Sequence, residues 1–189
     1  MIAILNYSST TAQNIRTILA KNGLDSIITL SEMEICKAEK IILPDTESIE
    51  HALKKLRITN LLNLLKILKK PVLGILSGSM IMCDEIDQLV MQGIGLIHRK
   101  GNGVVNYNFS PNEIDTGNTP LLTGYDKQLF QVSKYCGFIE AGIGTGSRIY
   151  YDKIWYSMTI EEHNAYALFA NDQNDYLVDT VVKNFGLRV

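Results

Sequence analysis

Gly74 and Gly78 flank Leu76 two residues to either side, inside the run from Lys70 to Cys83. That spacing suits a sharp strand-to-helix turn that projects one side chain, because the backbone is strained and the residues two places away are crowded. In an acyl-transfer enzyme such a turn presents the attacking atom. Here the tip is leucine, which cannot attack a carbonyl. Ser77 is the adjacent hydroxyl, but its own flanks are Ile75 and Ser79, so the register puts Leu76 at the tip. Pro71 to Ile75 is an apolar run suited to a buried parallel strand, and the sequence predicts a helix over Ser77 to Ile86.

The other residues able to do chemistry are scattered. Cys83 lies seven residues past the tip on an apolar stretch and reads as buried filler. Cys136 is a candidate for a relocated thiol, yet none of His51, His98 and His163 stands where a base for it is expected. Cys36, Cys83 and Cys136 fit neither a disulfide framework nor a zinc pattern. Glu161, Glu162 and His163 lack a second histidine at helical spacing and read as a solvated turn. Gly142, Gly144 and Gly146 do not make a dinucleotide fingerprint and read as a hairpin loop.

The elements that must position these residues alternate strand and helix in the first half. Strands are expected at Ile2 to Asn6, Asp25 to Leu30 and Lys40 to Leu43, with helices at Ala12 to Lys21 and Thr46 to Leu56. Asp45 or Thr46 is expected to cap the second of these helices, with Glu47 in its first turn. A leucine-rich helix from Ile58 to Leu68 is read as core. Beyond residue 90 the pattern turns β-rich, with pieces at Gln128 to Ser133, Gly137 to Ile139, Arg148 to Tyr151, Ile154 to Ile160 and Asn164 to Phe169. A last helix is expected at Asp175 to Phe185.

Lys70 to Ile75 followed by Gly78 resembles the nucleophile segment of the class I (triad) glutamine amidotransferases, most of all the glutaminase subunit of imidazole glycerol phosphate synthase. That family has Gly-Ile-Cys-Leu-Gly where this chain has Gly74 to Gly78, so the resemblance puts the catalytic cysteine at Leu76. The family's Gln-Phe-His-Pro-Glu matches Leu168 to Asp172, with Ala170 in the place of the histidine and Asp172 in that of the glutamate. Its oxyanion strand Leu-Pro-Gly-Val-Gly matches Leu43, Pro44, Asp45, Thr46 and Glu47, so both glycines have become acidic. Its Phe-Val-His-Ser-Tyr interface segment is Gln131 to Tyr135 here, and its Gly-Trp-Asn survives only as Asn106 to Asn108. Further matches fall at Gly95 and Leu96, at Pro120 and Leu121, and at Asn184 and Phe185.

The resemblance implies a single domain over residues 1–189 with a three-layer, flavodoxin-like α/β fold: a mostly parallel central sheet, helices on both faces and a β-rich second half. It implies a glutaminase supplying ammonia to a (β/α)8-barrel cyclase subunit in histidine biosynthesis, but the triad positions read Leu76, Ala170 and Asp172. The expected function is therefore a catalytically inactive binding or scaffolding module. The alternatives are a working amidotransferase subunit, and an enzyme of another class using a pocket built from Pro44, Asp45, Glu47, Gly74, Ser77, Gly78, Ser133 and Cys136.

A length of 189 residues with 46% apolar content supports a real core, and a net charge of −2 gives no reason to expect nucleic acid or an anionic membrane as partner. No run is long enough to span a bilayer, and a cytoplasmic protein with no cofactor or metal is expected.

Overall fold

The apolar run Ile2–Leu5 forms the central strand β1, fully buried between neighbours on both sides, in a computed structural model. The structure describes residues 1–7, 9–86, 91–101, 104–105, 109–126, 131–136, 146–172 and 174–189. The first half continues as α1 (Ser9–Lys21), β2 (Ser26–Thr29), α2 (Glu32–Lys37), β3 (Lys40–Leu43), α3 (Ile49–Ile58), α4 (Leu61–Ile67), β4 (Val72–Ile75) and α5 (Ser77–Met82). Then come β5 (Cys83–Ile86), β6 (Met91–Gln92), β7 (Ile97–Gly101), β8 (Val104–Val105), β9 (Glu113–Asp115) and a 3-10 turn at Pro120–Leu122. The chain finishes with β10 (Val132–Cys136), β11 (Arg148–Tyr151), β12 (Ile154–Ser157), β13 (Thr159–Glu162), β14 (Ala165–Leu168), β15 (Ala170–Asp172) and α6 (Tyr176–Arg188).

Six strands form the main sheet in the order β13-β14-β4-β3-β1-β2, parallel throughout except where β13 meets β14. The order 2-1-3-4 reverses direction at β1, so right-handed crossovers put α1 on the face opposite α3 and leave a crevice at the carboxyl ends of the strands. On one side α1 packs against α6; on the other α3 packs against α4 and α5. Small three-stranded sheets, β15-β10-β8, β12-β11-β9 and β6-β5-β7, make up the β-rich half.

Several expected elements shift for identifiable reasons. The α3 helix begins at Ile49, because Ser48 is its cap and accepts from the His51 amide at 3.1 Å; Asp45 and Thr46 lie outside it. The leucine-rich helix is shortened to α4 by Asn60, which takes φ +57, while Leu61, Leu64 and Leu65 are buried as expected. The helix after the turn stops at Met82, and Cys83–Ile86 pairs as a strand with both β6 and β7. The run from Ile154 divides at Met158 and feeds two different sheets. The short helix α2 carries only Ile35 as a buried residue, too little pattern to be read from sequence. The strand proposed at Gly137 to Ile139, the Asn106 to Asn108 remnant and residues 142–145 of the glycine-rich loop lie outside the described residues. Among the described residues no helix is long and apolar enough to cross a membrane.

Candidate functional site

Leu76 is the tip of a strand-to-helix turn with φ +51 and ψ −113, a conformation that costs a β-carbon-bearing residue about 1–3 kcal/mol. The surroundings hold it there. Its amide donates to the Leu168 carbonyl at 2.7 Å, and its carbonyl accepts from the Ser79 amide at 2.9 Å. Its side chain is 3% exposed. The two glycines are required by close approach. A β-carbon on Gly74 would lie 2.6 Å from the Ser79 α-carbon, and one on Gly78 would lie 2.2 Å from the Leu43 carbonyl oxygen. Ser79 fastens the turn to β14, its hydroxyl donating to the Leu168 carbonyl at 2.9 Å and accepting from the Leu168 amide at 3.1 Å.

Beside the tip, the Asp45 carboxylate covers the start of α5. Asp45 Oδ1 accepts from the Ser77 amide at 3.2 Å and from the Ser77 hydroxyl at 2.5 Å, while Oδ2 pairs with Lys134 Nζ at 2.5 Å. In an active enzyme built on such an elbow, the amide of the residue after the tip and an amide from the loop after β3 hold the developing oxyanion. Here that first donor is already bonded to a fixed carboxylate. The loop is pinned further: Tyr7 donates to the Pro44 carbonyl at 2.8 Å, Thr11 to the Asp45 carbonyl at 2.7 Å, and the Thr46 amide donates to Ser77 Oγ at 2.6 Å. Burial, reinforced by Asp45, raises the Tyr7 phenol well above its ordinary range.

A cleft of about 430 Å³ opens over the tip, lined by Asp45, Leu76, Lys134 and Asn171 on the sheet side and by residues of α1 and α6 on the other. Asp175 and Asp179 belong to that far wall, and Asn171 Nδ2 donates to Asp175 Oδ1 at 2.5 Å. Burial, opposed by Lys21 and reinforced by Asp175 and Asp172, raises the Asp179 carboxyl.

The residues singled out from sequence divide into two groups. Gly74, Gly78, Leu76, Ser77, Pro44 and Asp45 are brought together at the turn. Of these only Leu76 and Asp45 line the cleft, and the rest of the singled-out residues stand off from it. Ala170 is fully buried opposite Tyr135, and residues opposite each other in a ladder share a face; Lys134 and Asn171, the next pair, share the cleft face. Asp172 turns to α6, its Oδ2 accepting from the Leu177 amide at 3.1 Å and from the Tyr125 hydroxyl at 3.4 Å. Glu47 is exposed, and the Ser133 hydroxyl donates to the Asp172 carbonyl at 2.8 Å. Cys136 is fully buried, and burial, aided by Asp45 and opposed by Lys134, pushes its thiol up to about 12. Cys83 is buried too and is raised to about 12, chiefly by burial. None of the three histidines lines the cleft. Among the described residues no group of three or more histidine, cysteine or carboxylate side chains could hold a metal ion. Sequence reasoning missed Lys134 and Asn171 as cleft residues. No regular alternation marks Lys134 in the sequence, because a bulge between Val132 and Lys134 interrupts the two-residue period of β10.

No family model matches the chain. It is 34% identical over 104 residues to "Imidazole glycerol phosphate synthase subunit HisH 2" of Methanococcus maripaludis, a match that spans 53% of this chain and 52% of that protein. A HisH subunit of Buchnera aphidicola is 39% identical over 80 residues, 42% of this chain and 41% of its own length, so the chain spans about half or less of these two relatives. With the HisH subunit of Bacteroides thetaiotaomicron the match runs over 97% of both chains at 23% identity. Among solved structures, a glutamine amidotransferase crystal structure superposes with TM-score 0.70 at 11% identity, covering 97% of this chain and 96% of that one. A chain of PurLQS from Thermotoga maritima gives TM-score 0.59 at 14% identity over 97% and 94%. These likenesses show the fold. The end-to-end sequence match adds that the chain is glutamine amidotransferase-like and similar to HisH subunits.

Proposed function

We propose that this chain does not hydrolyse glutamine and acts as a binding or scaffolding module that has kept the amidotransferase frame. The observation that carries the reading is the Asp45 carboxylate on the Ser77 amide, next to an aliphatic side chain at the tip. Glutamine hydrolysis needs a thiolate, a base and free oxyanion donors acting as a unit, and loss of the nucleophile or base alone lowers rates by several orders of magnitude. The partner class this module would dock on is the (β/α)8-barrel cyclase-like synthase subunit of histidine biosynthesis, in line with the HisH names of its relatives.

A second reading, a pocket repurposed for another small ligand, is favoured by the cleft itself, where Lys134 and Asn171 face Asp175 and Asp179. The test is ammonia release from glutamine by the purified protein, alone and with the cyclase-like subunit from the same source, together with capture of that subunit. No ammonia with a captured partner is the expected result. Saturable ammonia release refutes the proposal and returns the chain to the working amidotransferases. No ammonia and no capture, with saturable thermal stabilisation by one compound of a metabolite screen, selects the repurposed pocket.

A further inference from the structure

A second cleft, of about 350 Å³, continues the first along α6 and shares Ile18, Lys21 and Asp179 with it. The helices α1 and α6 run parallel: Thr11 and Asp175 line the same cleft at the elbow end, while Gly186 lies against Leu19 and Leu24 at the other. The two ends of this groove have opposite chemistry. At the elbow the chain supplies its own carboxylates to helix amides, Asp45 to Ser77 and Asp172 to Leu177, and Asp45 also neutralises Lys134. At the far end Lys21, Lys183 and Arg188 line the second cleft, with Asp179 at the border between the two.

The charge of Lys21 acts on Asp179 at the border, while Lys183 and Arg188 face the cleft beyond it. Among the described residues none of them forms an ion pair with a carboxylate. The helix ends beside them are satisfied by other donors. Lys40 Nζ donates to the Phe185 and Gly186 carbonyls at 3.1 and 2.6 Å, and the Asn22 and Gly23 amides donate to the Leu19 and Ala20 carbonyls at 3.0 and 3.1 Å. Arg188 is also held in place: its Nε donates to Asn184 Oδ1 at 3.3 Å. Asn184 is 2% exposed, and its Nδ2 is fixed on the Leu121 and Thr123 carbonyls, both at 2.9 Å. One edge of the guanidinium is thus anchored to the core, leaving its terminal nitrogens for a two-pronged contact with an oxyanion.

We propose that the second cleft binds a phosphate group, free or as the ester of a small metabolite. Arg188 supplies the fork, Lys21 and Lys183 the point charges and Thr180 a hydroxyl at the wall. The volume falls within the range of small-molecule sites, about 300–1,000 Å³, so the cleft holds more than a bare phosphate. The site does not depend on whether the elbow is catalytic.

The test is calorimetric titration of the full chain with inorganic phosphate and, separately, with glycerol 3-phosphate, at ionic strength matched with chloride. Saturable binding at one site is expected, weakened about tenfold or more in Lys183→Ala/Arg188→Ala by loss of charge-assisted hydrogen bonds and unchanged in Lys66→Ala, an exposed control on α4. Tighter binding of phosphate identifies the free ion as the ligand, and tighter binding of glycerol 3-phosphate identifies an ester. Should the double variant melt lower than the parent without ligand, Arg188→Lys keeps the charge and loses the fork, and it must still weaken binding. Heat that does not saturate, or equal affinity in the double variant and the parent, overturns the assignment.

Discussion

Asp45 does two jobs with one carboxylate, holding the Ser77 amide and hydroxyl with Oδ1 and the Lys134 ammonium with Oδ2. Its side chain is 16% exposed and that of Lys134 29%, so the pair is only partly screened by water. Replacing Asp45 by Asn removes the charge but keeps the shape, leaving Lys134 half-buried without its partner. A loss of about 1–3 kcal/mol is expected, read as a lower urea midpoint with an unchanged m-value. Leu76→Cys restores a thiol at the tip but supplies no base, since no histidine lines the cleft and Ala170 faces the core. The variant is expected to release no ammonia from glutamine above background, and turnover by it would show that a base reaches residue 76. Cys136 does not substitute for that thiol: it is buried, protonated at neutral pH and outside the cleft lining.

At the scale of elements, the turn between β4 and α5 is built for close approach. Gly78 brings α5 against the β3 end so tightly that any side chain strikes the Leu43 and Pro44 carbonyl oxygens, at 2.2 and 2.8 Å. Carbonyls of a buried strand end cannot swing aside as a flexible side chain can. Gly78→Ala is therefore expected to cost about 3 kcal/mol, measured by urea unfolding, whereas Gly23→Ala, which meets nothing within 4 Å, tests backbone strain at φ +71 alone. The turn thus keeps the geometry that serves a nucleophile while presenting a leucine. What maintains it is structural: Leu76 hydrogen-bonds to β14, Ser79 staples the same strand, and the side chains of α5 are all buried. The β4–α5–β14 junction is part of the core, so packing holds the turn whatever side chain it presents.

For the whole molecule, the buried thiols and phenols set the response to alkali. Cys83 and Cys136 are raised from an ordinary 9.0 to about 12 by burial, and burial also raises Tyr7, Tyr125 and Tyr135. A folded pKa above the unfolded one means that the native state holds its protons while the unfolded chain gives them up. The stabilisation from the thiols is therefore complete below pH 9 and is lost as pH rises from 9 towards 12, on the order of a few kcal/mol in all. Urea midpoints are expected to hold steady to about pH 9 and then fall. A midpoint that does not fall between pH 9 and 11 contradicts the burial of these groups. The groove between α1 and α6 is likewise a property of the whole chain, since its walls come from segments more than 150 residues apart.

The alternating pattern of the first half and the glycines at 74 and 78 determined the parallel sheet and the turn, because strand and helix periodicity and close packing are written locally. The strand Lys40–Leu43 is read to the residue. Helix limits were less legible, since Ser48 outcompetes Asp45 as a cap only once Asp45 is drawn 32 residues along the chain to Ser77. The resemblance led to Ala170 and Asp172, but the facing of β15 depends on its register with β10, and a one-residue step exchanges core and cleft faces. Lys134, Asn171 and the basic cleft at Arg188 emerged only from tertiary structure. Their positions come from pairing and packing between distant segments, and no local period encodes which charges meet across 89 residues of chain.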